Sequence, residues 1–281
     1  MQELSRWRGQ GVETISRGRI GTFIFTLALI ALPQTDMAAD SPVAKEFSLT
    51  ASELQEMVQF MPPGIRSTIL AAPMDFLHLV TGVLEEPKDY FFLVDKSHAL
   101  PPNFVPDDLV SLRKYSLSLY WGDVTVRRSI MPAILGMVHA AKKEGITLVF
   151  SSGYRSYDYQ KYVYEREVKT YGQETADRES ARPGASQHQL GTAIDFGSIT
   201  DEFSTTPAGR WLAAHAWEYG FSLSYPQGEE AITGYRYESW HYRYVTKPAA
   251  LLQRKYFHDI QQYMMEFFNA HRAVLEARRS K

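Results

Sequence analysis

Apolar and polar positions alternate along this chain in short blocks, which predict a succession of brief helices and strands. The first block stands apart: residues 20–32 are almost uniformly apolar, interrupted only by Gly21, Thr22 and Thr26. Arg6, Arg8, Arg17 and Arg19 precede it, and Ala38 and Ala39 follow. A basic flank, a short apolar run and a small-residue end predict a signal peptide or an uncleaved anchor over residues 1–39. Beyond it, Ser52-Glu53-Leu54-Gln55 has the spacing of a capping box and opens an apolar-periodic run to Met61. Pro62-Pro63-Gly64 ends that run. A second helical pattern covers residues 65–84, with Ile69, Phe76, Val80 and Val83 on its core side and Pro73 predicted to kink or split it. Residues 40–90 therefore read as a helical lead-in.

Residues 91–94 (Phe-Phe-Leu-Val) predict a strand. Ile130, Ile134, Met137, Val138 and Ala141 repeat with helical period over 129–144, and Gly145 sits where a helix ends. The β-branched and aromatic run 146–150 predicts a core strand leading into Ser151-Ser152-Gly153-Tyr154-Arg155-Ser156. Ser156 is placed to cap a helix running to Tyr171, and the polar stretch from there to Arg182 reads as surface. Residues 191–196 predict a strand with Ala193 and Asp195 on one face. Thr206-Pro207 opens a helix that Gly220 closes, strands follow at 221–223 and 242–245, and a long helix runs from Pro248 to the end. Mixed in this order, without regular βαβ alternation, the elements predict an α+β fold. It has a small, mostly antiparallel sheet with flanking helices over 91–247, preceded by the helical extension and followed by a long carboxy-terminal helix, 248–281, packed on that domain.

Composition narrows the chemistry. A hydrophobic share of 44% supports a sizeable core, and a net charge of -2 gives no basic stripe for nucleic acid. With no cysteine, disulfides, thiolate ligands and a lipidated cysteine are all excluded, so any metal must sit on His, Asp or Glu. His188 and Asp195 lie seven residues apart, and Glu238 and His241 three apart. Two imidazoles and a carboxylate suit zinc while leaving a position for water, and a spare carboxylate beside the last ligand suits a general base. Glu238 fits that base better than Asp195, whose oxygens the metal would take. Alone, each residue reads blandly: a loop histidine, a turn aspartate, a packing tryptophan at Trp240. His78, His98, His139, His215, His258 and His271 lack ligand spacing and read as structural or surface residues.

Taken together, Ser186-x-His188-x-x-Gly191-x-Ala193-x-Asp195 and Glu238-x-Trp240-His241 resemble the motifs of the VanY-like zinc D-alanyl-D-alanine carboxypeptidases. That family sits in a larger group with VanX-type dipeptidases, L,D-carboxypeptidases and phage endopeptidases. The resemblance covers about residues 91–245, including the 100–110 lead-in and Gly153-Tyr154-Arg155-Ser156. It implies Zn2+ on His188, Asp195 and His241, with Glu238 as general base. It also implies that Arg155 is a catalytic and substrate-binding residue facing the substrate's terminal carboxylate or the developing oxyanion, with Ser186 and Gln160 as further substrate contacts. One departure is Ser239, where the family often has proline. The activity implied is removal of the terminal D-alanine from peptidoglycan stem peptides by a protein exported to the periplasm or cell envelope of a bacterium. Membrane contact would come only through a retained anchor. The alternatives are an L,D-carboxypeptidase of the same family and a non-catalytic cell-wall binding module.

Overall fold

Thr50 leaves its strand in extended conformation, the backbone state a helix N-cap requires, and this fixes how the described part of the chain begins. The computed structural model describes residues 41–280, so the expected signal or anchor over 1–39 lies outside the described residues. An antiparallel hairpin, β1 (Pro42–Ala44) and β2 (Phe47–Thr50), leads into α1 (Ala51–Met57). The Thr50 hydroxyl accepts from the Glu53 amide at 3.2 Å, and the Glu53 carboxylate accepts from the Thr50 amide at 2.8 Å. The capping box is therefore Thr50/Glu53 and not Ser52/Gln55, because Ser52 already lies inside the first turn. Next come α2 (Pro63–Ala71) and α3 (Pro73–Leu84), which meet at 98°. Pro73 has no N–H to continue the first helix but starts the second without loss, so the predicted break falls there. Ile65, Ile69, Phe76, Val80 and Val83 are buried.

The strand expected at 91–94 is absent. A 3₁₀ turn, Lys88–Phe91, takes its place, and the buried Arg243 guanidinium donates to the carbonyls of Tyr90 and Phe92 at 2.9 and 2.8 Å. Those carbonyls satisfy a side chain instead of a neighbouring strand. Then follow β3 (Leu109–Ser111), β4 (Ser118–Leu119), β5 (Thr125–Arg127), α4 (Met131–Lys143), β6 (Val149–Ser152) and α5 (Tyr157–Tyr171). The segment read as polar surface contains a further helix, α6 (Gln173–Glu179). The chain continues through β7 (Ala193–Phe196), α7 (Pro207–His215), β8 (Phe221–Leu223), α8 (Glu230–Thr233) and β9 (His241–Tyr244). Where one carboxy-terminal helix was expected there are two, α9 (Lys247–Tyr256) and α10 (Gln261–Arg278). His258 and Asp259 adopt positive φ between them, and Gln253 Nε2 donates to the Asp259 carbonyl at 2.7 Å. That left-handed turn lets α9 pack on α3 while α10 packs on β2 and the 88–91 turn.

Five strands form the central sheet in the order β4-β6-β7-β9-β8, antiparallel except for β4 with β6. β3 and β5 make a separate antiparallel pair. One apolar core runs from the β1–β2 hairpin through α2, α3, α9 and α10 to the sheet. Phe76 meets Tyr256 and Phe267 edge-on, with ring centroids 5.1 and 5.5 Å away, and each ring so buried stabilises the fold by about 1.5–3 kcal/mol. No single helix among the described residues is long and apolar enough to cross a membrane.

Candidate active site

Strand register brings the first two site residues together. Asp195 on β7 lies directly opposite His241 on β9, and on its other side β7 pairs with β6 through Ser152. Opposed side chains on adjacent antiparallel strands stand about 5 Å apart at Cβ, so pairing alone makes Asp195 and His241 neighbours. His188 arrives separately, on a 3₁₀ turn (Gln187–Leu190) that ends at Gly191 in the left-handed region. Its Nδ1 donates to the Gly153 carbonyl at 2.6 Å, which leaves Nε2 bare and turned towards Asp195, 3.2 Å from Oδ2. Gly153 must be glycine: a Cβ there would sit 2.3 Å from the Thr125 carbonyl oxygen, where β5 passes.

One donor atom from each of His188, Asp195 and His241 falls within 4.8 Å of the others, and all three residues are buried. Asp195 Oδ1 is 3.0 Å from His241 Nδ1, yet it accepts no hydrogen bond. A buried, unsatisfied carboxylate oxygen beside a ring nitrogen is a costly arrangement for protein alone and a natural one for a cation. Two imidazoles and one carboxylate at this separation match a zinc donor set with one position left open. The residues present therefore fit the metal. Glu238 stands next to them, its Oε2 3.5 Å from His241 Nδ1. The turn that carries it is closed by the His241 amide donating to the Glu238 carbonyl at 3.1 Å.

Burial shapes the charges. It pushes the Glu238 carboxyl up to about 7, against the pull of His241, and Asp195 adds to the rise. Burial also pushes His188 down to about 4, with the Arg155 guanidinium acting in the same direction. For Asp195, burial alone would raise the carboxyl, but His188 and His241 hold it well below the usual carboxylate range.

Arg155 follows β6 and points its guanidinium into this cluster. It donates to Ser152 Oγ at 3.1 Å, Gln160 Oε1 at 3.2 Å, His188 Nε2 at 2.8 Å and Asp195 Oδ2 at 2.9 Å. Gln160, expected as a substrate contact, lines the cleft with its amide held on both sides: Oε1 accepts from Arg155, and Nε2 donates to the Ala181 carbonyl at 2.7 Å. It acts on the site through Arg155. Ser186 is buried just ahead of the His188 turn and lines the cleft. That cleft, about 750 Å³, opens over the cluster. Several of its residues carried no signal in the sequence. Tyr225 packs its ring 4.9 Å from His241, Arg236 lies over the Trp240 ring, and Trp121 stands exposed at the rim. Gln187, Oε1 3.3 Å from His241 Nε2, sits between the motif residues Ser186 and His188. Of the other histidines, none joins a metal-type cluster among the described residues.

Comparison with known proteins gives these observations a context. The family model for VanY, D-alanyl-D-alanine carboxypeptidase, matches residues 123–247. YodJ of Bacillus subtilis (strain 168) is 40% identical over 174 residues, 59% of this chain and 64% of that protein. VanXYC of Enterococcus gallinarum, a bifunctional D-Ala-D-Ala dipeptidase and D-Ala-D-Ala carboxypeptidase, is 34% identical over 165 residues, 56% of this chain and 83% of that protein. The chain spans between 48% and 64% of the length of the first three curated relatives. Among solved structures, the LdcB LD-carboxypeptidase superposes with a TM-score of 0.57 at 37% identity, over 63% of this chain and 84% of that one. A mutant of the D,D-pentapeptidase VanY from a VanB-type resistance cassette, in complex with Zn(II), gives a TM-score of 0.52 at 27% identity, over 63% and 99%.

Proposed function

The chain belongs to the VanY-like D-alanyl-D-alanine carboxypeptidase family, and from that premise we propose that it is an exported zinc carboxypeptidase removing the terminal D-alanine from peptidoglycan stem peptides. The observation that carries this reading is the convergence of His188, Asp195 and His241 donor atoms within 4.8 Å, with the Glu238 carboxylate 3.5 Å from one of them. Those three residues would hold Zn2+, which supplies a Lewis acid that acidifies water and polarises the scissile carbonyl.

The chain's own groups do the rest. Glu238, buried beside the ligands, takes a proton from the attacking water as its oxygen bonds to the carbonyl carbon. When the C–N bond breaks, the same carboxyl returns that proton to the leaving amine of D-alanine. Arg155 stands beside His188 and Asp195. With the metal on His188 Nε2, whose one lone pair Arg155 contacts here, the guanidinium would be released from that nitrogen to face the carbonyl oxygen and add a positive field where negative charge grows. Ser152 and Gln160 hold that guanidinium in plane. Tyr225 and Trp240 wall the Glu238 side of the cleft. Export is supported by the basic, apolar and small-residue pattern of residues 1–39.

The likeness to the LdcB LD-carboxypeptidase favours one second reading, an L,D-carboxypeptidase that acts on tetrapeptide stems. Mass spectrometry of zinc-loaded protein with pentapeptide and tetrapeptide stems separates the two. Loss of D-alanine from the pentapeptide alone supports the D,D reading, and loss from the tetrapeptide alone replaces it. Glu238→Gln should lower kcat by about 10²–10⁴ while zinc remains bound. Hydrolysis at the wild-type rate in that variant would reject Glu238 as the base. Absence of cleavage in the wild-type protein, with zinc bound, would point to a wall-binding module.

A further inference from the structure

Behind the three ligands lies a closed ring of polar side chains that the catalytic reading does not use. Gln187, Ser224 and Gln261 are all buried, and they come from the His188 turn, the residue after β8 and the first residue of α10. Ser224 Oγ donates to Gln187 Oε1 at 2.7 Å. Gln187 Nε2 donates to Gln261 Oε1 at 3.3 Å, and Gln261 Nε2 donates back to Ser224 Oγ at 3.2 Å. Every member gives one proton and takes one. A single acceptor, Gln187 Oε1, also faces His241 Nε2 at 3.3 Å.

We propose that this ring sets the tautomer of His241, which makes Gln261 a positioning residue for the metal centre. The inference rests on reading His241 Nδ1 as the metal donor. An acceptor facing Nε2 requires the proton on Nε2, so Nδ1 keeps its lone pair, 3.0 Å from Asp195 Oδ1. The direction of the ring is not arbitrary. Turning the Gln187 amide over would aim its NH2 at His241 and bring its oxygen against Gln261 Oε1. Repairing that clash means turning Gln261 over as well, which would set its oxygen against the Ser222 carbonyl. In the observed arrangement Gln261 Nε2 donates to that carbonyl at 3.4 Å. A backbone carbonyl only accepts, so the orientation is fixed at Ser222 and passed through Gln261 and Gln187 to the imidazole. Ser224 is held in place by its own amide, which donates to the His241 carbonyl at 3.2 Å. Gln261 lies outside the 123–247 stretch that matches the family model, so this support comes from the carboxy-terminal helix.

The experiment uses the full chain. Long-range proton–nitrogen correlation of the imidazoles, in metal-free protein at about pH 8 where histidines are neutral, reads the tautomer directly. The His241 signal is assigned by its loss in His241→Ala. Zinc affinity is measured separately by competition with a chromophoric chelator. Wild type should show His241 protonated on Nε2 only. Gln261→Leu and Gln187→Leu should each populate the Nδ1-protonated form and weaken zinc by about 10–100-fold. Gln187→Glu keeps an acceptor towards Nε2, so His241 should stay protonated on Nε2 even though the second carboxylate oxygen meets Gln261 Oε1 and opens the ring. Unchanged tautomer and affinity in both leucine variants would overturn the proposal. So would Gln187→Glu populating the Nδ1-protonated form as Gln187→Leu does, since packing and not the acceptor would then matter. A wild-type protein with the stated tautomer but no zinc affinity would support the ring and reject the metal reading.

Discussion

Asp195 and His241 face each other across β7 and β9 with Oδ1 and Nδ1 3.0 Å apart, and the carboxylate oxygen accepts no hydrogen bond. With Nδ1 unprotonated, as the Gln187 acceptor on Nε2 requires, two acceptors buried at that distance repel unless a cation joins them. Zinc should therefore stabilise the folded protein by mass action, about 2.7 kcal/mol at a hundredfold excess over its Kd, or a rise of about 5–10 °C in Tm. In Asp195→Ala that rise should vanish in a thermal scan with and without zinc. An equal shift in the variant would place the metal elsewhere.

Arg155 spreads four donations over Ser152, Gln160, His188 and Asp195. A lysine ammonium is a compact charge and cannot make this planar set of contacts. Arg155→Lys should lower kcat/KM by about 10²–10³, the usual loss for one preorganised charge-stabilising donor. Bound zinc, measured by elemental analysis, should not fall. If kcat/KM survives, the guanidinium geometry is irrelevant to the reaction.

Ser239 stands in the turn between Glu238 and His241 with its hydroxyl buried and unpartnered. Removing such a group relieves a desolvation penalty of about 1–3 kcal/mol. Ser239→Ala should accordingly raise Tm by at least about 2 °C without altering zinc affinity. A lower Tm would mean that the hydroxyl has a partner in solution.

Asp177 ties α6 to α5: Arg182 donates to both of its oxygens at 2.9 Å and Tyr164 to one at 2.7 Å. Arg182 first, then Tyr164 and Gln173, hold its carboxyl below the usual carboxylate range. A depressed carboxylate stabilises the fold above its unfolded pKa, about 4, and loses that contribution as pH falls through the folded value. Asp177→Asn should thus lower Tm slightly at neutral pH, by no more than about 2 °C because the ion pair is solvated. The two melting curves should converge in acid. A gap that widens as pH falls would contradict the sign.

Much of the site could be read from residue spacing because its members lie in two short segments. His188 and Asp195 are separated by one 3₁₀ turn and the start of a strand, and Glu238 and His241 share one turn. Helix ends were equally readable where a local residue decides them, as at Ser156, Thr206 and Pro73. Misreadings came where a distant group intervenes. Residues 91–94 have strand composition, yet Arg243, about 150 positions away in sequence, takes the carbonyls of Tyr90 and Phe92. The carboxy-terminal helix carries no proline at its break, and the left-handed turn at His258–Asp259 is held by a glutamine side chain. Nothing local to Gln160 shows that the Arg155 guanidinium and the Ala181 carbonyl hold its buried amide. The Gln187–Ser224–Gln261 ring spans 74 positions in sequence between its glutamines, and no local pattern encodes it.

At the far end of the chain Arg279 pairs with Phe47, and the Ser280 amide donates to the Glu46 carbonyl at 2.8 Å. The first hairpin and the last residues of the described chain are thus clasped together. None of the residues lining the cleft comes from residues 41–120 or 242–280. A tether or fusion joined at either end therefore grips the protein at one shared handle and leaves the walls of the cleft unencumbered.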